Sequence, residues 1–473
     1  MKAPGDSKAK FVTGSTMRHV VSMTTTGSIG LIAVFFVDAL NLLYISMLGK
    51  EELSASIGFA STLLFFTTSV AIGLTIGTSA LVARALGRGD REAAAKAGGG
   101  ALLLSGLIVT AVTLATLPFL SPLVTFLGAT GRTHDLTVSY LQWVLPSSPL
   151  IAIGMGASGI LRGVGDAKRA MMITLIGAII AAILDPILIF GLGLELKGAA
   201  ITTIFSRLAI MIVGLYGAWF IHRLVKIDGL SNVKQMAKPF FAISIPAIIT
   251  QLATPVGNAY VTIEMAKFGD DAVAGWAIIG RVIPVVFGVI FALSGSVGPI
   301  LGQNYGAKLY HRLYETMRDA LIFTAIYTVI AWGLLALCST QVANLFAATG
   351  LTGELVSFFC LFVAGSFLFT GALFVANAAF NNLGYPTLST LFNWGRATLG
   401  TIPFVWVGAH YYGAIGVMAG WGLGSVIFGI AGIFMCFRVI TQIERKGDTG
   451  GDDALPHLPS TANSPFTSAK GAL

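Results

Sequence analysis

The sequence predicts an all-α polytopic membrane protein with twelve transmembrane helices in two pseudo-symmetric six-helix lobes. Of its 473 residues, 55% are hydrophobic and only 11% are charged, whereas soluble proteins carry about 25% charged residues. Apolar windows of about 20 residues, long enough to cross a bilayer, recur along the chain. The chain also matches itself at an offset near 219 residues. These observations together predict a duplicated bundle of membrane-spanning helices.

The apolar windows place twelve spans and the segments that connect them. The predicted spans are residues 22–48, 57–83, 97–119, 136–160, 168–193, 198–221, 240–266, 273–301, 319–341, 353–380, 387–409 and 413–437. The corresponding domains are a cytoplasmic tail at 1–17, an N-lobe at 18–224, a cytoplasmic linker at 225–238, a C-lobe at 239–441 and a disordered cytoplasmic tail at 442–473. The last tail is predicted to be disordered because it is polar and rich in glycine, proline and serine.

The distribution of Lys and Arg predicts the orientation of the chain. With the N-terminus inside, 22 of the 29 Lys and Arg residues fall on the cytoplasmic side and four fall outside. The remaining three, Arg207, Arg281 and Arg396, lie within or near helices. Such an asymmetry is the positive-inside signal, so we expect both termini in the cytoplasm of a plasma membrane, in bacteria the inner membrane. The net charge of +8 follows from this asymmetry, and we expect contact with membrane lipid and not with nucleic acid.

Short motifs recur in the same order in both halves of the chain. Residues 83–87 align with 302–306, and residues 161–165 align with 380–384. Each half then holds six spans, and because six is even, both halves have the same orientation. A pseudo-two-fold axis along the membrane normal is typical of transporters, with the substrate path between the lobes.

Two carboxylates lie inside apolar spans. Asp38 lies in the first span and Asp185 in the fifth. An ionisable group at mid-membrane costs roughly 2.5–3.5 kcal/mol on insertion scales, so such residues usually face a polar cavity and have a function. A structural role in helix packing is the alternative. Two acids of this kind predict the handling of protons or other cations.

The residues around these acids indicate a polar pocket. Asn41 lies three residues after Asp38, on the same helix face. Pro186 lacks an N–H, so the carbonyl of Ala182 loses its helical partner and must find another in lipid. Thr202 and Thr203 begin the next span and are within reach of this pocket. The spacing does not say whether Asp38 and Asp185 meet.

Other polar residues carry weaker predictions. Candidates for lining a substrate cavity are Tyr140, Gln142, Asn258, which aligns with Asp38, and Arg281. Packing or solvent exposure accounts for each of them equally well. Glu264 lies at a span end near Lys267, which indicates a solvated surface acid.

The motifs together resemble the multidrug and toxic compound extrusion (MATE) family, specifically its DinF-type branch. The resemblance runs from Val20 to Val439 and is carried by Asp38 and by residues 83–90, 161–168, 184–191 and 302–307. It implies two lobes forming a V, and antiport of organic compounds, cationic or amphipathic, against protons or sodium ions. In the DinF-type pattern, a cation site draws on the places occupied here by Asp38, Asp185 and Thr203. The asparagine of that pattern, four residues before Asp185, is Ala181, and this departure favours protons over sodium as the coupling ion.

Several other functions compete with this interpretation. A flippase or exporter of a lipid-linked or metabolic substrate is the main alternative, although a flippase usually needs a strongly cationic cavity. The chain has no paired Asp-rich metal motif, no histidine cluster and no nucleophile motif, so we expect neither an enzyme nor a bound metal or cofactor. No filter-like loop indicates a channel. We expect a monomer whose partners are small organic substrates.

Overall fold

The computed structural model describes residues 9–448, and these residues form α-helices joined by short turns. In that part of the chain the α-helices are α1 Thr16–Ser46, α2 Glu51–Gly87, α3 Arg91–Thr116, α4 Leu120–Phe126, α5 Gly131–Val144, α6 Ser148–Val164, α7 Ala167–Pro186, α8 Glu195–Leu215, α9 Gly229–Ala266, α10 Asp270–Gly306, α11 Tyr310–Leu337, α12 Ser339–Leu345, α13 Gly350–Leu361, α14 Phe367–Leu383, α15 Pro386–Ala397 and α16 Ile402–Asp448. Eleven helical stretches of the described residues are long and apolar enough to cross a membrane.

The last of these stretches, Pro386–Arg445, is long enough to cross twice. Gly413 interrupts it with φ 59° and ψ −144°, a backbone conformation open to glycine because it lacks a Cβ. The backbone of Gly408 then contacts that of Gly416, and Phe404 contacts Gly420, so the two segments run antiparallel. Twelve crossings result in the described chain, the number that the sequence predicts.

The internal repeat is confirmed helix by helix. Six helices of the first half, α2 to α7, each begin 219 residues before their counterparts, α10 to α15. The turns repeat as well: α6 ends at Gly165 with φ 88°, and α14 ends at Gly384 with φ 96°. Both glycines adopt the left-handed conformation that commonly ends a helix. The two halves therefore share one local plan.

The two lobes meet through repeat-related helices. Within the N-lobe α1 packs on α7 and α2 on α6, and within the C-lobe α10 packs on α14 and α9 on α15. Between the lobes, α1 lies along α10 and α9 lies along α2. Because α9 is the counterpart of α1 and α10 that of α2, these two interfaces are related by the pseudo-two-fold axis.

One end of the bundle is closed by matching hydrogen bonds across the lobes; we call it the closed end. Arg84 Nε of α2 donates to the carbonyl of Asn382 at 2.9 Å. Gln303 Nε2 of α10 donates to the carbonyl of Gly163 at 2.7 Å. Arg84 and Gln303 are 219 residues apart, and so are Gly163 and Asn382, so one contact is the symmetry copy of the other.

Two glycines allow the backbones to approach at this end. A Cβ on Gly87 would lie 2.1 Å from the carbonyl oxygen of Gln303, and a Cβ on Gly306 would lie 2.2 Å from that of Arg84. Neither distance leaves room for a side chain, because the clashing atoms belong to the backbone. Glycine at both positions is therefore required for α2 and α10 to meet as they do.

The N-terminal segment packs across the closed end, although the sequence predicts a tail there. Phe11 is fully buried, and its N–H donates to Gln303 Oε1 at 2.8 Å. Lys10 Nζ donates to the carbonyl of Gly165, and Arg312 Nη2 donates to that of Phe11. Residues 9–16 are thus part of the folded body. The rest of the predicted tail, residues 1–8, lies outside the described residues.

Two predicted boundaries were wrong. Most of the predicted linker, 225–238, is the start of α9, because Val233 and Met236 are buried in helical spacing with Phe240. The predicted C-terminal tail begins as helix, since α16 continues to Asp448. Residues 449–473 of that tail lie outside the described residues.

The lobes diverge away from the closed end. Described contacts between them reach Phe35, whose ring lies 6.5 Å from that of Phe291, and Gly73, which touches Ile248. Past this level Val285 is 62% exposed, and Asp38 is exposed as well. The fold is a V of two helical lobes, and Asp38 lies on its open side.

Candidate functional site

The packing of α1 on α7 brings Asn41 of α1 next to Asp185 of α7. Asp185 is 1% exposed, and its Oδ2 accepts a hydrogen bond from Asn41 Nδ2 at 2.9 Å. The two residues are 144 positions apart in sequence. A buried carboxylate needs partners of this kind, because leaving water without compensation is costly. The predicted residues Asn41 and Asp185 therefore come together in the folded chain.

Asp38 lies close to this pair but differs from it in accessibility. It is one helical turn before Asn41 on α1, and its charge interacts with that of Asp185. Its side chain is exposed, whereas Asp185 is buried. The centre thus consists of one exposed acid and one buried acid. Such a pair can pass a proton between outside and inside.

The buried acid keeps one oxygen unpaired. Asp185 Oδ1 is buried without a hydrogen-bond partner among the described residues, and so is Thr202 Oγ1. The side chains of Thr202 and Asp185 nevertheless lie beside each other. The sequence predicts Thr203 in this place, but Thr203 Oγ1 instead donates to the carbonyl of Ala199 at 2.9 Å. Neighbouring residues on a helix point about 100° apart, so only one threonine faces α7.

Tyr140 extends the centre towards α5. It is buried, its hydroxyl is next to Thr203, and it lies within the electrostatic reach of both acids. Gln142, two residues later on the same helix, is exposed. Arg207, a residue that the sequence did not assign to the centre, is buried beside Tyr140 and donates to Ser147 Oγ at 3.0 Å. Its signal in the sequence was a cation inside an apolar span.

The C-lobe also holds a buried cation. Arg396 is 5% exposed, and its Nη2 donates to Thr254 Oγ1 at 3.1 Å. Its Nε is buried without a partner among the described residues. The other C-lobe candidates, Asn258 and Arg281, are exposed side chains past the last described contacts between the lobes. In the sequence, Arg396 is one of three cations within or near helices that are candidates for the cationic cavity of a flippase.

The expectation that Glu264 is solvated was wrong. Glu264 is 5% exposed, and both of its carboxylate oxygens accept from Lys267 Nζ, at 2.7 and 2.8 Å. The predicted neighbour is therefore present, but it covers the acid. The Lys267 side chain itself is 58% exposed, so the pair lies at the surface of the C-lobe.

A further acid lies at the closed end, outside the spans. Asp166 accepts from Arg169 N at 3.1 Å, which caps α7, and from His222 Nε2 at 2.8 Å. Burial alone raises the pKa of Asp166, but the hydrogen bonds from His222 and Arg169 outweigh it and hold that pKa well below its usual range. Asp166 therefore stays ionised.

Comparison with known proteins identifies the family whose model this chain matches. The family model described as MatE matches residues 28–187 and 246–407. The chain is 28% identical over 437 residues to a protein of Shewanella oneidensis named FAD transporter, covering 90% of this chain and 96% of that one. It is 24% identical to the multidrug export protein MepA of Staphylococcus haemolyticus, covering 92% and 96%.

Solved structures show the same fold. A mutant of the Vibrio cholerae MATE transporter VcmN is 25% identical and superposes with a TM-score of 0.85, covering 93% of this chain and 98% of that one. An outward-facing multidrug resistance transporter of the MATE family superposes with a TM-score of 0.86 at 24% identity, covering 94% and 100%. The V of two lobes is thus shared with these transporters.

Proposed function

Because the chain belongs to the MatE family of membrane transporters, we propose that it is an antiporter that exports organic compounds in exchange for protons. The observation that carries the proposal is the bond from Asn41 to buried Asp185, with accessible Asp38 one turn away. The coupling residues are then Asp38, Asn41 and Asp185, with Thr202 in the place first given to Thr203.

In this proposal a proton reaches Asp38 from the open side of the V and passes to Asp185. Protonation removes the negative charge that the Asn41 amide and the Thr202 hydroxyl face. The most stable arrangement of α1 on α7 then changes. A ligand, here the proton, that favours one arrangement of the two helices shifts the population towards it. Because α1 also packs along α10, its movement changes the interface between the lobes. This links proton binding to alternating access.

Protons are the favoured coupling ion for two reasons. Hard metal cations require several oxygen ligands in a fixed arrangement, and Ala181 supplies no side-chain oxygen where the family pattern has an amide. The Asn41 amide presents its nitrogen, not its oxygen, to Asp185. A proton needs only the carboxylates.

The names of the relatives support two classes of substrate. The MepA proteins are named for multidrug export, which supports organic cationic or amphipathic compounds. The Shewanella protein is named for FAD, which supports the second candidate, export of a metabolite. The DinF-type branch, a monomeric state and the predicted site residues Tyr140, Gln142, Asn258 and Arg281 remain proposals alongside these.

Transport in proteoliposomes tests the proposal. Purified protein is reconstituted, and efflux of a fluorescent cation is followed with a pH gradient in sodium-free buffer, then with a sodium gradient at equal pH. We expect efflux with the pH gradient alone. Activity that requires sodium irrespective of the pH gradient would refute proton coupling while leaving the antiporter assignment in place.

The predicted orientation, with the closed end in the cytoplasm, has its own test. A cysteine introduced at Ser231, in the first turns of α9, is labelled in whole cells with a membrane-impermeant maleimide, in a background free of Cys338, Cys360 and Cys436. We expect no labelling until the cells are opened. Labelling of intact cells would reverse the proposed topology.

A further inference from the structure

The C-lobe contains a buried guanidinium whose charge nothing nearby balances. Arg396 is 5% exposed, and no carboxylate among the described residues forms an ion pair with it. The C-lobe acid Glu264 is already paired with Lys267. A buried charge without compensation is expensive, so such groups usually serve a function.

Arg396 lies deep in the lobe and has donors to spare. It is ten residues beyond Pro386 at the start of α15, which is about 15 Å along a helix and roughly half the thickness of a bilayer core. A guanidinium offers five N–H donors. In the described structure one hydrogen bond is formed, to Thr254 Oγ1, and the buried Nε has no partner.

The surroundings of Arg396 are polar and reachable. Ser389, Asn393 and Arg396 follow each other at helical spacing on the buried face of α15, while Leu391 on the opposite face is 64% exposed. Thr254, the partner of Arg396, is partly exposed. Arg396 is therefore one hydrogen bond away from a residue that is accessible at the surface.

We propose that Arg396 forms an anion subsite that binds a phosphate or carboxylate group of the exported compound. A planar guanidinium suits such groups because it pairs two N–H donors with two oxygens. The C-lobe would hold the anionic group, while the acids of the N-lobe carry the coupling proton. This inference rests on the proposed antiport with its second class of substrate, a metabolite, and names the anionic group that such a metabolite carries.

Binding of two flavins to the purified full chain tests the proposal. Riboflavin and its 5′-phosphate differ by one phosphate group, and fluorescence anisotropy in lipid-free detergent micelles measures both. We expect the phosphate to bind at least about tenfold more tightly, as a charge-assisted hydrogen-bonded pair would give. In Arg396→Gln this preference should disappear with riboflavin affinity unchanged, and Arg396→Lys should keep part of it. Arg132→Gln, an exposed site on α5, is the matched control.

The other possible results distinguish an anion subsite from a purely structural arginine and from a lipid site. Binding of neither flavin, equal binding of both, or equal losses for both in Arg396→Gln would overturn the proposal and leave Arg396 as a tie to Thr254. Loss of the phosphate preference on adding phosphatidylglycerol would identify a lipid headgroup as the occupant and also overturn it. Phosphate-selective binding without transport in proteoliposomes would instead refute the proposed antiport and keep the subsite.

Discussion

The two lobes have matching helices but differ in the polar residues inside them. The N-lobe carries Asp38 and Asp185, whereas the C-lobe has Asn258 at the place that aligns with Asp38 and apolar Ile402 or Phe404 at the one that aligns with Asp185. The C-lobe buries Arg396 instead, a charge without an ion-pair partner among the described residues. Helix lengths and turns have been kept through the duplication because packing depends on them, while polar side chains inside each lobe have diverged. In the proposed antiport, a proton bound in one lobe therefore acts on the other through helix contacts.

The largest effect is expected in the N-lobe centre. Asp185→Asn and Asp38→Asn each remove a group that can exchange a proton, and coupled transport should fall about 100-fold or more, the scale on which positioned proton-transfer groups act. Size and hydrogen bonding are retained, so expression should stay near normal. Efflux driven by a pH gradient in proteoliposomes measures this.

Glu264→Gln is the matched control, since it makes the same carboxyl-to-amide change in the other lobe. Its transport rate should stay within about twofold, because exposed Lys267 can turn to water when the pair is lost. Wild-type rates in both aspartate variants would make the N-lobe centre structural, and a complete loss in Glu264→Gln would move the coupling to the C-lobe.

The second prediction concerns the place where the lobes are alike. Gly87→Ala and Gly306→Ala each push a methyl group into a backbone carbonyl of the opposite lobe, so both should weaken the closed end to a similar degree. We expect transport to fall about tenfold, equivalent to a shift of about 1.4 kcal/mol in the closing equilibrium. Spin-label distances across the closed end should broaden in both variants.

Gly58→Ala on α2 serves as the control for these glycines, because a Cβ there meets nothing within 4 Å. A closed end that keeps its distances in both variants would show that α2 and α10 do not need this close approach. Opening in one variant alone would show that the two contacts are not equivalent.

A smaller effect is expected at Asp166. Its side chain caps α7, whereas its repeat counterpart Tyr385 gives α15 no side-chain cap. Because the hydrogen bonds from His222 and Arg169 hold the pKa of Asp166 below its unfolded value, its contribution to stability is present above about pH 4 and is lost as the pH falls further. Asn caps a helix about as well as Asp, so Asp166→Asn should lose only the charge-assisted interactions and cost about 1 kcal/mol at pH 7 and less in acid. Thermal unfolding in detergent from pH 7 to pH 3 checks this, and an equal cost at all pH values would contradict it.

The smallest effect is the loss of stability in Glu264→Gln. The lysine partner is 58% exposed, so the ion pair is screened, and we expect a cost of about 1 kcal/mol or less. The midpoint of thermal unfolding in detergent measures it. A much larger loss would mean that buried Glu264 is held by more than Lys267.

Much of the fold follows from the sequence because a membrane-spanning helix can be recognised by the length of its apolar segment. Hydropathy alone indicates twelve spans, and the offset of 219 is visible in short motifs near Gly165 and Gly384. Boundaries are harder to place. The sequence at the start of α9 resembles a basic linker, and the segment is helical because Met236 packs in the N-lobe core beside Gly100.

By itself, the sequence determined the class of protein, the duplication and the presence of two acids inside apolar spans. Only the tertiary structure decided which side chains meet: that Asn41 bonds to Asp185, that Thr202 and not Thr203 faces it, and that Glu264 is covered. It also revealed Arg396 as an unbalanced buried charge. The physical reason is that the free energy of inserting a segment into the membrane depends on its own composition. Hydrogen bonds between residues 144 positions apart depend instead on how two helices are rotated and packed.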